Sequence, residues 1–549
     1  MDNQDTRAAR EYHDGTKHPG GRLMNPHHRF HPAQQPLLFK IYKDLPTIPL
    51  PHDHAASQIS PVAALDAIRG EIPIPAGETV PDLPALARVL HYSAGITKTI
   101  HYPEPWGAIP FRAAACTGAL YHIELYLVCG DLPDLAAGVY HFDPQMSVLR
   151  QLREGDYRGI LVSASGNEPA IRSAPATLVL TDVVWRNAVK YQAREYRHAF
   201  WDSGTILANM LAMTASLQLR HRVVLGFVDA EISRLLDLQA EKELVLALIP
   251  LGSAPESAPP PPAAVRQLNL EIEAYSRYEL DFPPIRAMHA ASSLPDGEAV
   301  ATWREGRMTE DQGRKTEDEG RLTDVHRRKT KDAWKKDEAG AGPEQPAPPG
   351  LLAKLQPIPD KRLPSDPIES VIVRRGSTRR FAREAISLEQ LSTLLTRSLQ
   401  DFDADFYDQQ NLRLTEAYLI VNAVDGLAPG TYFYRRDLQA LEALKPGDVR
   451  EIAGFLALHQ DLAADASVDI FFLADLEPIL ESLGNRGYRA AQLDAAISAG
   501  RIYLAAYALG IGASGLTFFD DAVVDFFSPS AAGKSVMFLI AMGKKRRKS

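Results

Sequence analysis

REYRHAFWD at residues 194–202 and RGYRAAQLD at 486–494 are two versions of one pattern, and they decide how this chain is organised. Arg194, Tyr196, Arg197 and Asp202 recur as Arg486, Tyr488, Arg489 and Asp494, at an offset of 292. Working outward, the same offset relates Glu124 and Tyr126 to Glu416 and Tyr418, and Gly138 and Tyr140 to Gly430 and Tyr432. It also relates Phe227 and Asp229 to Phe519 and Asp521. One register held over so long a span reads as an internal duplication. Each copy has a β-rich run (125–128; 417–421), a Gly turn to a second strand, a long apolar helix (205–219; 497–509) and a closing β run (244–252; 536–543). The helices are apolar on most faces and so predicted to be buried. Helices and strands in this order predict an α+β domain used twice.

A chain of 549 residues exceeds what one core usually organises, which agrees with two domains, taken as 1–265 and 356–549 with a linker at 266–355. With 45% apolar and 23% charged residues the composition is that of folded globular material. A formal charge of -9 argues against a general nucleic-acid binder, which needs clustered cations. Two cysteines, Cys116 and Cys129, are too few for a disulfide framework and suit a reducing compartment. The polar N-terminal stretch lacks a secretory core, and no run approaches the roughly 20 apolar residues of a membrane span. A soluble cytoplasmic protein is the expectation. The linker carries the units GRMTEDQ, GRKTEDE and GRLTDVH from Gly306, Gly313 and Gly320, too poor in apolar residues for a coiled-coil seam. It reads as solvated linker, with a protein-interaction role left open.

RRGSTRRF at 374–381 is the strongest local motif. In an extended chain Arg375, Ser377 and Arg379 share a side, so two guanidinium forks and a hydroxyl converge on one anion such as a phosphate. On these residues alone a basic solvated stretch or a nucleic-acid contact stays open. Followed by SLEQLSTLL (387–395), the motif resembles the FMN-binding opening of the nitroreductase superfamily. EYHDGTKHPGG (11–21) and QPLLFKIY (35–42) resemble its SagB and thiazole-oxidase branch. The resemblance covers about 10–290 and 360–549 by motif matching.

It implies two tandem FMN-dependent nitroreductase-like domains forming an intramolecular pseudo-dimer, with a higher oligomer open. It further implies oxidation of thiazoline or oxazoline rings in a modified peptide to azoles, possible alongside a cyclodehydratase partner. In that family one subunit supplies an Arg-x-Ser-x-Arg cradle and the other a glycine-bearing loop. Here RAAACTGALYH (112–122) in the first copy resembles the loop, where the second has FYDQQNLRLTE. Conversely the first copy has only LDAIRGEIPIP where the second has the cradle. The resemblance therefore implies one FMN site per chain, made by Arg375, Ser377, Arg379, Ala513, Ser514, Gly515, Leu516 and Lys545 of the second copy with Cys116, Thr117 and Gly118 of the first. Arg379 is expected to face the reduced ring's pyrimidine edge. Ala115 and Cys116 stand where the family often has Pro and Ser, which weakens a hydroxyl contact to the flavin.

The same resemblance assigns catalysis to Lys190 and Tyr191 in WRNAVKYQAREYR, as base and helper; the second copy has Ser482 and Leu483 there. A partly desolvated lysine can act as a base near neutral pH, although a surface lysine beside a packed tyrosine fits the residues too. GIGASG (510–515) satisfies a dinucleotide pattern but closes a helix, so a helix cap at Gly510 or Gly512 is expected instead of a nucleotide fold. No metal is expected, since His27, His28 and His31 lack partners at a recognised spacing. Cys116 reads as a reactive thiol or a small half-buried residue, and KKRRKS at the end as a phosphate contact, a solvated tail or a localisation patch. Two other functions remain: an NAD(P)H-dependent nitro or quinone reductase, and a flavin-free scaffold that docks a peptide-modifying partner.

Overall fold

Each copy is organised by an antiparallel sheet buried on both faces. The computed structural model describes residues 3–19, 34–52, 56–67, 77–103, 107–262, 264–305, 349–407 and 413–546. The charged heptads, His27, His28, His31, the RGEIPIP stretch and the last three residues lie outside them. Strands β1 (Thr47–Pro49), β2 (Ile123–Cys129), β3 (Gly138–Asp143), β4 (Val148–Glu154), β5 (Ala176–Val183) and β6 (Glu243–Leu251) form the first sheet in the order β1-β4-β3-β2-β5-β6. The second contains β7 (Leu352–Lys354), β8 (Glu416–Val421), β9 (Gly430–Arg435), β10 (Ala440–Pro446), β11 (Val468–Ala474), β12 (Gly512–Leu516) and β13 (Ser535–Gly543). Its order is β7-β10-β9-β8-β11-β13-β12, so it repeats the first strand for strand and then adds β12. Strands β2, β5, β6 and β11 are buried at every residue, which is why they are mostly apolar on both faces and not alternating, with a few buried polar residues such as Glu124, Asp182, Glu243 and Asp469 among them.

Six helices position the site: α1 (Arg7–Gly15), α2 (Val184–Tyr191), α3 (Glu195–Ser216), α4 (Pro283–Ala291), α5 (Ile368–Arg374) and α6 (Arg486–Ala508). Helices α3 and α6 begin about ten residues before the apolar stretches predicted at 205 and 497, because their charged first turns are buried as well. They pack where Gly204 faces Ala496 and Ala208 faces Gly500. Both are pairs of equivalent positions at the offset of 292, so a pseudo-twofold axis passes between the two helices.

That axis explains the duplicated RxYR pattern. Arg194 and Arg197 reach Asp520 of the other copy at 3.0 and 2.6 Å, and Arg486 and Arg489 reach Asp229 at 2.8 and 2.7 Å. Asp520, not Asp521, is thus the counterpart of Asp229; the register slips by one residue here and is restored by β6 and β13. The arms repeat too. Arg197 donates to the His13 carbonyl and Thr16 Oγ1 beside α1, and Arg489 donates to the His289 carbonyl and Ser292 Oγ beside α4. The expected linker at 266–355 accordingly contains folded parts: α4 is the second copy's counterpart of α1, and β7 is the outer strand of the second sheet. Helix α4 carries a short apolar face, Ile285, Met288 and Ala291, all buried, while its C-terminal end meets the preformed polar groups of α6. Trp303, buried, donates from Nε1 to the Leu483 carbonyl and so ties this arm to the second copy.

Candidate active site

After α5 the chain runs without regular structure through 375–380, and RRGSTRRF crosses to the first copy. Arg375 donates from Nε and Nη2 to the Ala113 carbonyl at 2.9 and 2.7 Å. Its guanidinium lies 5.6 Å from the Tyr503 ring, and Ser377 Oγ is 3.4 Å from the Tyr503 hydroxyl. Burial lowers the Arg375 pKa from its ordinary value, a sign of a cation held without a carboxylate. The Thr378 amide donates to the Ala513 carbonyl at 2.9 Å, pinning the motif to GASGL. GASGL, read with GIGASG as the close of a helix, is strand β12 from Gly512 on, in register with β13 from Gly512↔Gly543 to Leu516↔Leu539. Ala513 and Ser514 are buried there, while Gly515 donates its amide to the Tyr503 hydroxyl and Leu516 is half-buried. Lys545 lies 3.8 Å from the Tyr507 ring centre, beside the same motif. Gly510, with φ of 74°, ends α6 as expected: the Ile511 amide bonds back to the Ala506 carbonyl at 2.8 Å.

The first copy contributes the loop from Arg112 and the end of α2. A Cβ on Gly118 would lie 3.0 Å from the Tyr191 hydroxyl and 3.2 Å from Lys190 Nζ, so glycine leaves room for both. Three residues of this loop have positive φ: Gly118 at 62°, Ala119 at 55° and Tyr121 at 47°. Lys190 and Tyr191 close α2, and the next residue, Gln192, has φ of 52° where the second copy uses Gly484 at 63°. Such non-glycine strain is kept where surroundings enforce it. Partial burial and then the charge of Arg379 lower the Lys190 pKa. Burial and then Asp202 raise that of Tyr191. Neither Lys190 nor Arg379 makes an ion pair with a described residue. Gly118, Tyr191 and Lys190 of the first copy thus lie together within reach of the Arg379 charge from the second, and Arg375 ties the second copy to the start of the same loop.

Cys116 and Thr117 are turned away from it. Cys116 Sγ lies 2.9 Å from Asp202 Oδ2, and Thr117 donates to the same carboxylate from its amide and, at 2.6 Å, its hydroxyl. Burial and Asp202 push the Cys116 thiol well up, which leaves it a poor nucleophile. Behind it His122 donates to Asp182 at 2.6 Å and Asp202 at 2.8 Å. Burial alone would lower the His122 pKa, but Asp182 and Asp202 raise it well above the ordinary range, so it stays an imidazolium. Glu195, 3.4 Å from the same ring, is pushed up by burial and by Asp182 and is held protonated. Sequence reasoning passed over Asp202, although its place in the repeated pattern marked it.

In the second copy the equivalent region is built differently. Asp494 accepts from Tyr407 and Thr415 and pairs with Arg413 at 2.9 Å. Phe402, Phe406 and Tyr407 stack on one another there. Among the described helices none is long and apolar enough to cross a membrane.

A protein of Anabaena variabilis solved as a nitroreductase superposes over 98% of this chain and 99% of its own, with a TM-score of 0.72 and 24% identity, a likeness of fold. A Methanocaldococcus jannaschii protein described as a nitroreductase is 28% identical over 142 residues, 26% of this chain and 70% of its own length. The microcin B17-processing protein McbC of Escherichia coli is 26% identical over 126 residues, 22% of this chain and 46% of its own length. The sequence profile of the nitroreductase family matches twice, at 112–253 and 372–544, more than half of the chain. With two such regions carrying mixed helix and sheet, the chain belongs to the nitroreductase family, as an oxidoreductase-type tandem of its fold.

Proposed function

We propose that this chain is an FMN-dependent dehydrogenase that oxidises thiazoline or oxazoline rings of a modified peptide to azoles, with Lys190 as base and Tyr191 as its helper. The observation carrying the proposal is that Lys190 and Tyr191 pack around Gly118 in one copy, within reach of the Arg379 charge of the other, whose Arg375 bonds to the same loop at Ala113. The donor set fits a phosphate-bearing aromatic cofactor: cations without carboxylate partners among the described residues, a bare glycine, and an aromatic hydroxyl at Tyr503. Arg375, Ser377 and Lys545 would hold the phosphate and ribityl end, Arg379 the polar ring edge, and the Gly118 loop one face. FMN, when bound, supplies the acceptor for a hydride.

Lys190 is poised for the accompanying proton. Its lowered pKa puts more of it in the free-base form at neutral pH than an ordinary lysine, and it would take the proton from ring carbon. Tyr191, held protonated, would orient the ring heteroatom or the leaving proton. The similarity to a microcin-processing protein supports a peptide substrate, and a cyclodehydratase would be the partner that makes the azoline.

The test is the visible spectrum of the purified chain, followed by Lys190→Ala. A yellow protein whose variant keeps FMN but loses about 10²- to 10⁴-fold in azoline oxidation is expected. A chain that stays colourless with added FMN favours the scaffold, and an alanine variant with undiminished NAD(P)H-driven nitro or quinone reduction favours the reductase.

A further inference from the structure

We infer that Asp202 is the positioning residue of the site: it clamps the 116–121 loop in its strained conformation and so sets Gly118 against Lys190 and Tyr191. This rests on the reading of that loop as one wall of a flavin site. Asp202 sits on α3 and accepts from four donors: Cys116 Sγ, the Thr117 amide, Thr117 Oγ1 and His122 Nε2. Three of them lie in two consecutive loop residues, just before the run of positive φ. Cys116 passes the restraint on, since its sulfur accepts the Tyr121 amide at 3.0 Å and closes the turn around Gly118. The upstream end is held separately, by Arg375 on the Ala113 carbonyl and by Thr205 Oγ1 on the Ala115 carbonyl at 2.6 Å.

The carboxylate reaches all of these donors in one rotamer, and His122 holds it there. Its ring donates to Asp202 on one side and to Asp182 on the other, a fixed cation that orients the acceptor. The second copy is a built-in comparison. Asp494, at the equivalent position, holds Tyr407, Thr415 and Arg413 instead, so the fold keeps the aspartate while only the first copy applies it to a glycine loop. Asp202 thus acts through the loop, with no contact of its own to Lys190 Nζ.

The experiment compares Asp202→Asn with Asp494→Asn in the full chain, reading FMN affinity by fluorescence titration, amide exchange at 117–121 and the melting temperature. Both variants lose a buried carboxylate and should melt earlier. Only Asp202→Asn should weaken FMN binding, by tenfold or more, and speed exchange at 117–121; Asp494→Asn should leave both within twofold of the parent. Thr117→Val, which removes a single donor, serves if Asp202→Asn does not fold and should show the same pattern more weakly. Unchanged exchange at 117–121 in Asp202→Asn or Thr117→Val overturns the clamp, as does an equal loss of FMN affinity in Asp494→Asn. If the parent binds no FMN the flavin reading fails, while the exchange comparison still decides the clamp.

Discussion

Asp469 is buried in strand β11, and its Oδ1 finds no hydrogen-bond partner among the described residues; Asn422 approaches Oδ2 at 3.4 Å. Burial pushes its carboxyl well up, and Arg450 offsets this only in part. A folded-state pKa above the unfolded one stabilises fully below the unfolded value and is lost as pH rises through the folded one. Asp469→Asn should therefore raise the unfolding free energy read from urea titration at pH 7 to 8 by about 1–3 kcal/mol, and change it little near pH 3. An asparagine variant that unfolds earlier at pH 8 would contradict this. At this scale the cationic residues of RRGSTRRF and the Lys190-Tyr191 pair were legible from residue type and a resemblance. Asp202 and His122 were not, because one carboxylate among many acquires meaning only from the four donors brought to it.

Helices α3 and α6 were legible as long buried elements, but their starts were not. The RxYR turns look like polar loop until Asp229 and Asp520 arrive from elsewhere to neutralise them. The small residues at their crossing carry a prediction of their own. A Cβ on Gly500 would lie 2.5 Å from the Ala208 Cβ and 3.0 Å from the Thr205 backbone, with no flexible side chain to yield. Gly500→Val should cost about 1–3 kcal/mol or more by forcing the helices apart. A thermal melt within a degree of the parent would show that the crossing has slack. Strand β12 makes the complementary point: GASGL has a weak strand signature, and it pairs because β13 offers it an open edge.

Over the whole molecule, two buried histidines report on how the copies are tied. His13 and His289 occupy equivalent places in the two arms, His13 Nδ1 lying 3.4 Å from the Tyr488 hydroxyl and His289 Nδ1 3.1 Å from that of Tyr196. Burial, with Arg489 adding, pushes His289 down to about 3, and burial with Arg197 lowers His13 as well. Their folded values lie below the ordinary one of about 6.5, so each contributes stability that is present above that pH and lost as the pH falls toward the folded value. Stability should drop below pH 6.5 by about 1.4 kcal/mol per pH unit for each histidine, and His289→Gln should flatten the slope. Chemical denaturation at several pH values between 6.5 and 4 measures it, and an unchanged slope in the glutamine variant would rule the histidine out as its source.

The sequence by itself determined that there are two copies and that each is a mixed helix and sheet domain. Those properties are written in residue order, apolar period and motif spacing, which need no partner to be read. Tertiary structure alone decided that the second copy's arm lies within the expected linker, that Asp520 takes the place of Asp521, and that Asp202 gathers the loop beside Lys190. Each of these depends on groups far apart in the chain meeting across a pseudo-twofold axis, where a buried charge is tolerated only once its counter-charge is in position.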